Sequence, residues 1–112
     1  MPPPGPFADL RVLDLAGVSG ALAGKLLADL GADVVLVEPP GGDPMRTVPP
    51  FWQGAPDPER SLFFWFYATS KRGITLDWRQ AAGAVLLRRL AAGADVLIET
   101  AAPGALAAAA AM

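Results

Sequence analysis

The sequence predicts an α/β protein, an open parallel sheet built from two βαβ units. Three observations carry this. Short apolar runs of strand length flank a segment of helical periodicity, the same pattern recurs in the second half of the chain, and two of the runs have continuously apolar interiors, as in strands covered on both faces.

Taken in order, Arg11-Val-Leu-Asp-Leu15 reads as the first strand. Glycines follow, then Leu22, Leu26, Leu27 and Leu30 at helical spacing, with Gly20, Gly24 and Ala28 forming a small-residue face that would let the helix lie close to a sheet or to another helix. Gly31 suits the position just past the helix, where a left-handed backbone ends it without a Cβ clash. Asp33-Val-Val-Leu-Val-Glu38 is the second strand. The pattern returns in Gly73-Ile-Thr-Leu-Asp77, a helix expected over residues 78–92 with Ala82, Leu86 and Leu90 in register, and Asp95-Val-Leu-Ile-Glu99. Both helices run into a Gly-Ala-Asp step, Gly31-Ala-Asp33 and Gly93-Ala-Asp95. A right-handed crossover in each unit would place helices on the faces of one open sheet.

Between the units, residues 39–72 hold seven prolines and seven of the nine aromatics of the chain. Compact domains favour short connections, so this one is expected to cover something or to be functional. Leu62-Phe-Phe-Trp-Phe-Tyr67 is too apolar to stay exposed and is expected to form a short buried helix or a surface for further sequence. Eight of the last thirteen residues are alanine, and the C-terminus looks unfinished.

Composition narrows the function. At 112 residues, against roughly 150 per domain, the chain is one domain or a piece of a larger one. With 53% apolar residues it has the material for a core. A net charge of -2 supplies no field for polyanions, which argues against a nucleic-acid partner. Neither cysteine nor histidine occurs, which excludes disulfides, thiolate nucleophiles, Cys/His zinc sites and His-based triads. Chemistry is left to carboxylates, hydroxyls, Lys and Arg. No apolar run approaches the ~18 residues of a membrane span, and the Pro-rich start lacks the features of a signal peptide. No membrane partner is therefore expected, and a cytoplasmic location is the default.

Ligands of open α/β sheets gather beyond the carboxyl ends of the strands. Those ends are Gly17-Val-Ser19, Glu38-Pro-Pro40, Asp77-Trp-Arg79 and Thr100-Ala-Ala102. Asp77 is placed to cap the following helix, which would set Arg79 in its first turn, where a cation opposes the macrodipole. Two readings stay open for Arg79: it holds an anion such as phosphate at the helix start, or it is a solvated surface residue. Gly17, Gly20 and Gly24 with Glu38 downstream invite comparison with a dinucleotide fingerprint, but no G-x-G-x-x-G can be written here. The simpler role of Glu38 is to orient its loop. Gly41-Gly-Asp-Pro-Met-Arg46 reads as a tight loop in preference to a flexible anion contact. Lys71-Arg72, at the amino end of the third strand, is expected to face away from the ligand edge and to form surface or interface ion pairs.

Five segments in this order resemble the N-terminal part of the family III CoA-transferases, the carnitine and formyl-CoA transferase type, a family that also includes alpha-methylacyl-CoA racemases. They are Leu10-Arg-Val-Leu-Asp-Leu15, Gly20-Ala-Leu-Ala-Gly-Lys-Leu-Leu-Ala-Asp-Leu-Gly-Ala-Asp-Val34, Val37-Glu-Pro-Pro-Gly-Gly-Asp-Pro-Met-Arg46, Ser70-Lys-Arg-Gly-Ile-Thr-Leu-Asp77 and Ala94-Asp-Val-Leu-Ile-Glu99. The resemblance spans residues 8 to 106. It implies a Rossmann-like fold, the incomplete large domain of such an enzyme, with residues 1–112 a partial N-terminal CoA-binding domain. No covalently bound cofactor is implied; coenzyme A or acyl-CoA enters as substrate, with a carboxylic acid as its partner, in an enzyme that is a homodimer when full length.

By the same resemblance CoA is contacted at Val18 and Ser19, at Pro39, at Leu76, Asp77, Trp78 and Arg79, and at Thr100. A 3′-phosphoadenosine diphosphate would supply the anion for Arg79. The chain departs from the family where Asn-Phe commonly follows the fourth strand, having Thr100 and Ala101 instead, and where some members carry an Arg, having Ala108. The nucleophilic Asp of the family corresponds to a position beyond residue 112, so no catalytic residue and no metal ligand is assigned. The implied activity is movement of CoA between an acyl-CoA thioester and a free carboxylic acid, contributed to by this chain and absent from it alone. A racemase fragment and a non-catalytic binding or assembly module are the alternatives.

Overall fold

The computed structural model describes residues 5–110. Four parallel strands form one sheet: β1 (Arg11–Leu15), β2 (Asp33–Glu38), β3 (Arg72–Thr75) and β4 (Val96–Glu99), in the order β3-β2-β1-β4. Helix α1 (Ala21–Asp29) links β1 to β2, α2 (Leu62–Ala68) precedes β3, α3 (Ala81–Ala92) links β3 to β4, and α4 (Ala105–Ala110) follows β4. The bounds of β1 and β2 are those expected. The alanine tract, expected to look unfinished, carries a helix over its described part.

The first βαβ unit is a pair of neighbours, with Leu13 opposite Val35. The second is not. β3 pairs with β2 and β4 pairs with β1, so the connection through α3 passes over both central strands. Crossover handedness accounts for where the helices lie. The chain moves one way across the sheet from β1 to β2 to β3, then back to β4, and a constant right-handed crossover must therefore put α3 on the face opposite α1. The two cores agree. Val12 and Val34 pack with Ala28 and Ala32 on the α1 face, whereas Leu13 and Val37 pack with Leu87 on the α3 face. Successive residues of β1 point to opposite faces, so Val12, Leu13 and Asp14 are all buried.

Helix α1 ends as its sequence requires. The Gly31 amide donates to Ala28 O and the Ala32 amide to Leu27 O, at 3.0 Å each, around a Gly31 φ of +105°. This pair of hydrogen bonds satisfies the last carbonyls of the helix and needs a glycine at the turn. The face that α1 buries is the small one: Ala21, Gly24 and Ala28 meet the sheet, while Leu22 and Leu26 remain 50% and 51% exposed. The same holds in α3, where Gly83, Ala84 and Leu87 are buried and Leu86 and Leu90 face outward.

The long connection is anchored by Ser61, which is buried, caps α2 by accepting from the Phe64 amide (3.1 Å) and donates to Val48 O (2.7 Å). The aromatic run does form a short helix, but it is half-covered: Trp65 and Phe66 are exposed. The tight reading of the Gly41–Arg46 loop is the one observed. Arg46 donates to both oxygens of Glu38 (2.8 and 3.1 Å) and to Pro58 O (3.0 Å), with its guanidinium over the Phe64 ring. Hydrogen bonding to Glu38 also raises the Arg46 pKa above its ordinary value, and the bonds to Glu38 and Pro58 fix this cation inside the loop. Among the described residues no helix is long and apolar enough to cross a membrane.

Candidate functional site

Reversal of strand order between β1 and β4 leaves a crevice at their carboxyl ends, because the connections leaving the two strands travel to opposite faces. A groove of about 250 Å³ lies there. Its floor comes from the ends of β1 and β2, through Leu15, Ala16, Gly17, Val37 and Pro39. Trp78 and Arg79 form one wall, Thr100 and Ala101 another, and Asp43 and Pro44 close the side next to Pro39.

Of the eight residues that the sequence puts at a ligand, four line this groove: Pro39, Trp78, Arg79 and Thr100. Val18 and Ser19 are exposed on the same connection as Ala16 and Gly17, just outside the lining. Leu76 packs in the α3-side core, and its amide donates to Glu38 O (2.9 Å). Asp77, half-buried, directly precedes Trp78 and Arg79 in the chain and is not among the lining residues.

Asp77 does not cap α3. The helix starts at Ala81 with Gln80 as the flanking residue, and Asp77 Oδ1 instead accepts from the Arg79 amide (3.2 Å) in a turn that precedes it. Arg79 therefore lies before the helix and not in its first turn. Asp and Asn hydrogen-bond amides two residues on as readily as they cap helices, and the sequence pattern is the same for both. What the turn achieves is to lay the Arg79 guanidinium over the Trp78 ring, 4.6 Å from its centroid. Arg79 is exposed and takes part in none of the ion pairs among the described residues. A flat, stacked cation beside an aromatic ring offers both charge and a planar surface to a ligand.

Thr100 closes the crevice from the β4 side. Its Oγ1 accepts from the Gly17 amide at 2.7 Å, tying the end of β4 to the end of β1. Close packing here needs Gly20, whose added Cβ would lie 2.7 Å from Ala16 Cβ and 2.8 Å from Thr100 Cγ2.

Two features escaped the sequence reading. Asp43, read only as part of a turn, is 5% exposed and borders the groove. Its Oδ1 accepts from the Met45 amide (2.8 Å). Burial raises its pKa above the ordinary 3.8, opposed by the Met45 amide; the Glu38 and Asp14 carboxylates raise it further and Lys71 lowers it. The folded state thus holds the Asp43 proton more tightly than the unfolded chain does. Its contribution to stability is complete below about pH 3.8 and is lost as the pH rises through the raised folded value. Asp43→Asn keeps an oxygen for the Met45 amide and cannot ionise. Urea unfolding across that window is expected to show the variant gaining on the wild type as pH rises; a constant difference would contradict the assignment.

The second feature is Lys71. Arg72 forms the expected surface pair, bidentate to Asp33 (2.9 and 2.8 Å). Lys71 does not. Its Nζ lies 2.8 Å from Asp14 Oδ2 with both side chains buried, 1% and 0% exposed. The backbone is at the amino end of β3, as expected, but the long side chain runs beneath α1 to the other end of β1. A composition rule that sends lysines to the surface gives no sign of this.

The geometry on its own describes a strand-end crevice with one cation, Arg79, outside the ion pairs of the described residues; comparison with known proteins shows the family of the chain. The sequence signature of CoA-transferase family III matches residues 7–110. The chain belongs to CoA-transferase family III. Among family relatives, it is 42% identical over 98 residues to the succinyl-CoA:(R)-benzylsuccinate CoA-transferase subunit BbsE of Thauera aromatica, covering 88% of this chain and 24% of that one. It is 43% identical to the succinyl-CoA–D-citramalate CoA-transferase of Chloroflexus aurantiacus, covering 93% and 25%. A crystal structure of a CAIB/BAIF family protein from Brucella suis superposes with a TM-score of 0.84 at 42% identity, over 96% of this chain and 29% of that chain. This family III chain spans about a quarter of the length of the curated relatives it matches.

Proposed function

We propose that the chain contributes one wall of the coenzyme A site of a CoA-transferase that moves CoA between an acyl-CoA thioester and a free carboxylic acid. The observation that carries this is the Trp78–Arg79 stack at the strand-order reversal, facing Pro39 and Thr100 across one groove in a family III chain. Arg79 supplies a charge for phosphate and Trp78 a planar face for the nucleotide. Val18, Ser19, Leu76 and Asp77 belong to this site through the turns that they build around it. The groove falls below the ~300–1,000 Å³ of a self-sufficient small-molecule pocket, which suits a site completed by other segments. Residues 1–112 act in this reading as a partial N-terminal CoA-binding domain of a cytoplasmic homodimer.

Calorimetric titration of the chain with CoA tests the reading. Saturable binding is expected, weakened by Arg79→Ala about tenfold to a hundredfold, the worth of one charge-assisted hydrogen bond. Acyl exchange between CoA thioesters and free acids by the isolated chain is expected to stay at background. A folded protein that does not bind CoA would overturn the proposal and favour a docking module.

A further inference from the structure

We infer that Lys71 is a positioning residue for the groove, acting on the β1–α1 turn through its buried pair with Asp14; the inference rests on the groove being the ligand site. Asp14 ends its buried run in β1 directly before that turn. Its two oxygens do different things. Oδ1 accepts from the Ala16 amide (2.9 Å) and so bends the chain into Ala16 and Gly17, which line the groove. Oδ2 faces Lys71 Nζ at 2.8 Å, and Nζ also donates to Ala21 O (3.3 Å) in the first turn of α1. One ammonium thereby holds both ends of the segment Ala16–Ala21, the segment whose Gly17 amide reaches Thr100 across the crevice.

The packing shows that the site was shaped around this pair. An added Cβ on Gly24 would lie 2.2 Å from Asp14 Oδ2 and 3.0 Å from Lys71 Nζ, so α1 can approach only because it carries a glycine there. A buried carboxylate without its cation would draw in water and release the Ala16 amide. Lys71 is therefore coupled to the groove although it touches no part of it.

Amide hydrogen exchange without ligand, followed by CoA titration, tests this on the whole chain. In Lys71→Met, exchange at Ala16–Ala21 is expected to rise about tenfold or more while the β2 amides Val34–Val37 keep their protection. CoA affinity is expected to fall in parallel, with Arg79 intact. Should Lys71→Met fail to fold, the neutral pair Asp14→Asn with Lys71→Met, which keeps an acceptor for the Ala16 amide and loses the ammonium tie to Ala21 O, is measured in its place, with the rise in exchange expected at Gly20 and Ala21; no rise there would overturn the role. Unchanged exchange at Ala16–Ala21, or a uniform loss of protection across the sheet, would overturn the positioning role. Failure of the wild type to bind CoA would instead sink the ligand reading and leave the exchange result standing.

Discussion

Gly83→Ala is expected to destabilise the fold by about 3 kcal/mol and to disturb the groove with it. A Cβ at this position would lie 1.8 Å from Asp77 O, 2.6 Å from Asp77 C and 3.2 Å from Trp78 N. All three are backbone atoms, so no side-chain rotation relieves the contact. Either α3 lifts from the sheet, uncovering Leu87 in the core against Leu13 and Val37, or the Asp77–Trp78 segment is pushed toward the groove. Helix propensity alone points the other way, since alanine is favoured over glycine inside a helix by up to ~1 kcal/mol. The sign of the measured change therefore decides between them. Urea unfolding of the variant should show a lowered midpoint, with weaker CoA binding in whatever remains folded. A stabilised variant would mean that α3 does not lie this close.

Asp14→Ala is expected to cost about 3–5 kcal/mol, because it leaves the Lys71 ammonium buried without its ion-pair partner and with Ala21 O as its hydrogen-bond acceptor. Most of that cost is the stranded charge and not the lost attraction. Asp14→Asn combined with Lys71→Met, which removes both charges and keeps an acceptor for the Ala16 amide, should therefore be less destabilised than Asp14→Ala. The pair on the neighbouring surface offers the contrast. Arg72–Asp33 has comparable distances, but the side chains are 69% and 37% exposed, and breaking such a solvated pair changes stability by about 0–1 kcal/mol. Equilibrium unfolding of the single and double variants gives the coupling directly. A double variant as unstable as the sum of its parts would show that the two groups do not interact in the folded state.

Local regularity was legible. β1 could be bounded as a short β-like run, β2 from a continuous apolar run, and the end of α1 from one glycine, because these features depend on neighbours within a few residues. Gly20, Gly24 and Ala28 could be recognised as a close-packing face for the same reason. Their rivals could not be judged. Leu86 and Leu90 share a helix face just as Gly83 and Leu87 do, and periodicity identifies both stripes without saying which meets the sheet. Asp77 shows a similar limit, since one residue type serves equally in a turn and in a helix cap. Of the candidate ligand residues, those on the turns after the strands were found by a rule about sheets, and Pro39, Trp78, Arg79 and Thr100 meet where that rule places a crevice.

What the sequence by itself determined was the inventory: four strands, the helices between them, a family, and a rim of residues at the strand ends. The tertiary structure alone decided the order β3-β2-β1-β4, the joining of Lys71 to Asp14, and the use of Asp43 as a groove wall. The physical reason is range. Strand identity is set by side chains a few residues apart, whereas strand order and buried charge pairing are settled by which distant surfaces exclude water together, a choice that no local pattern encodes.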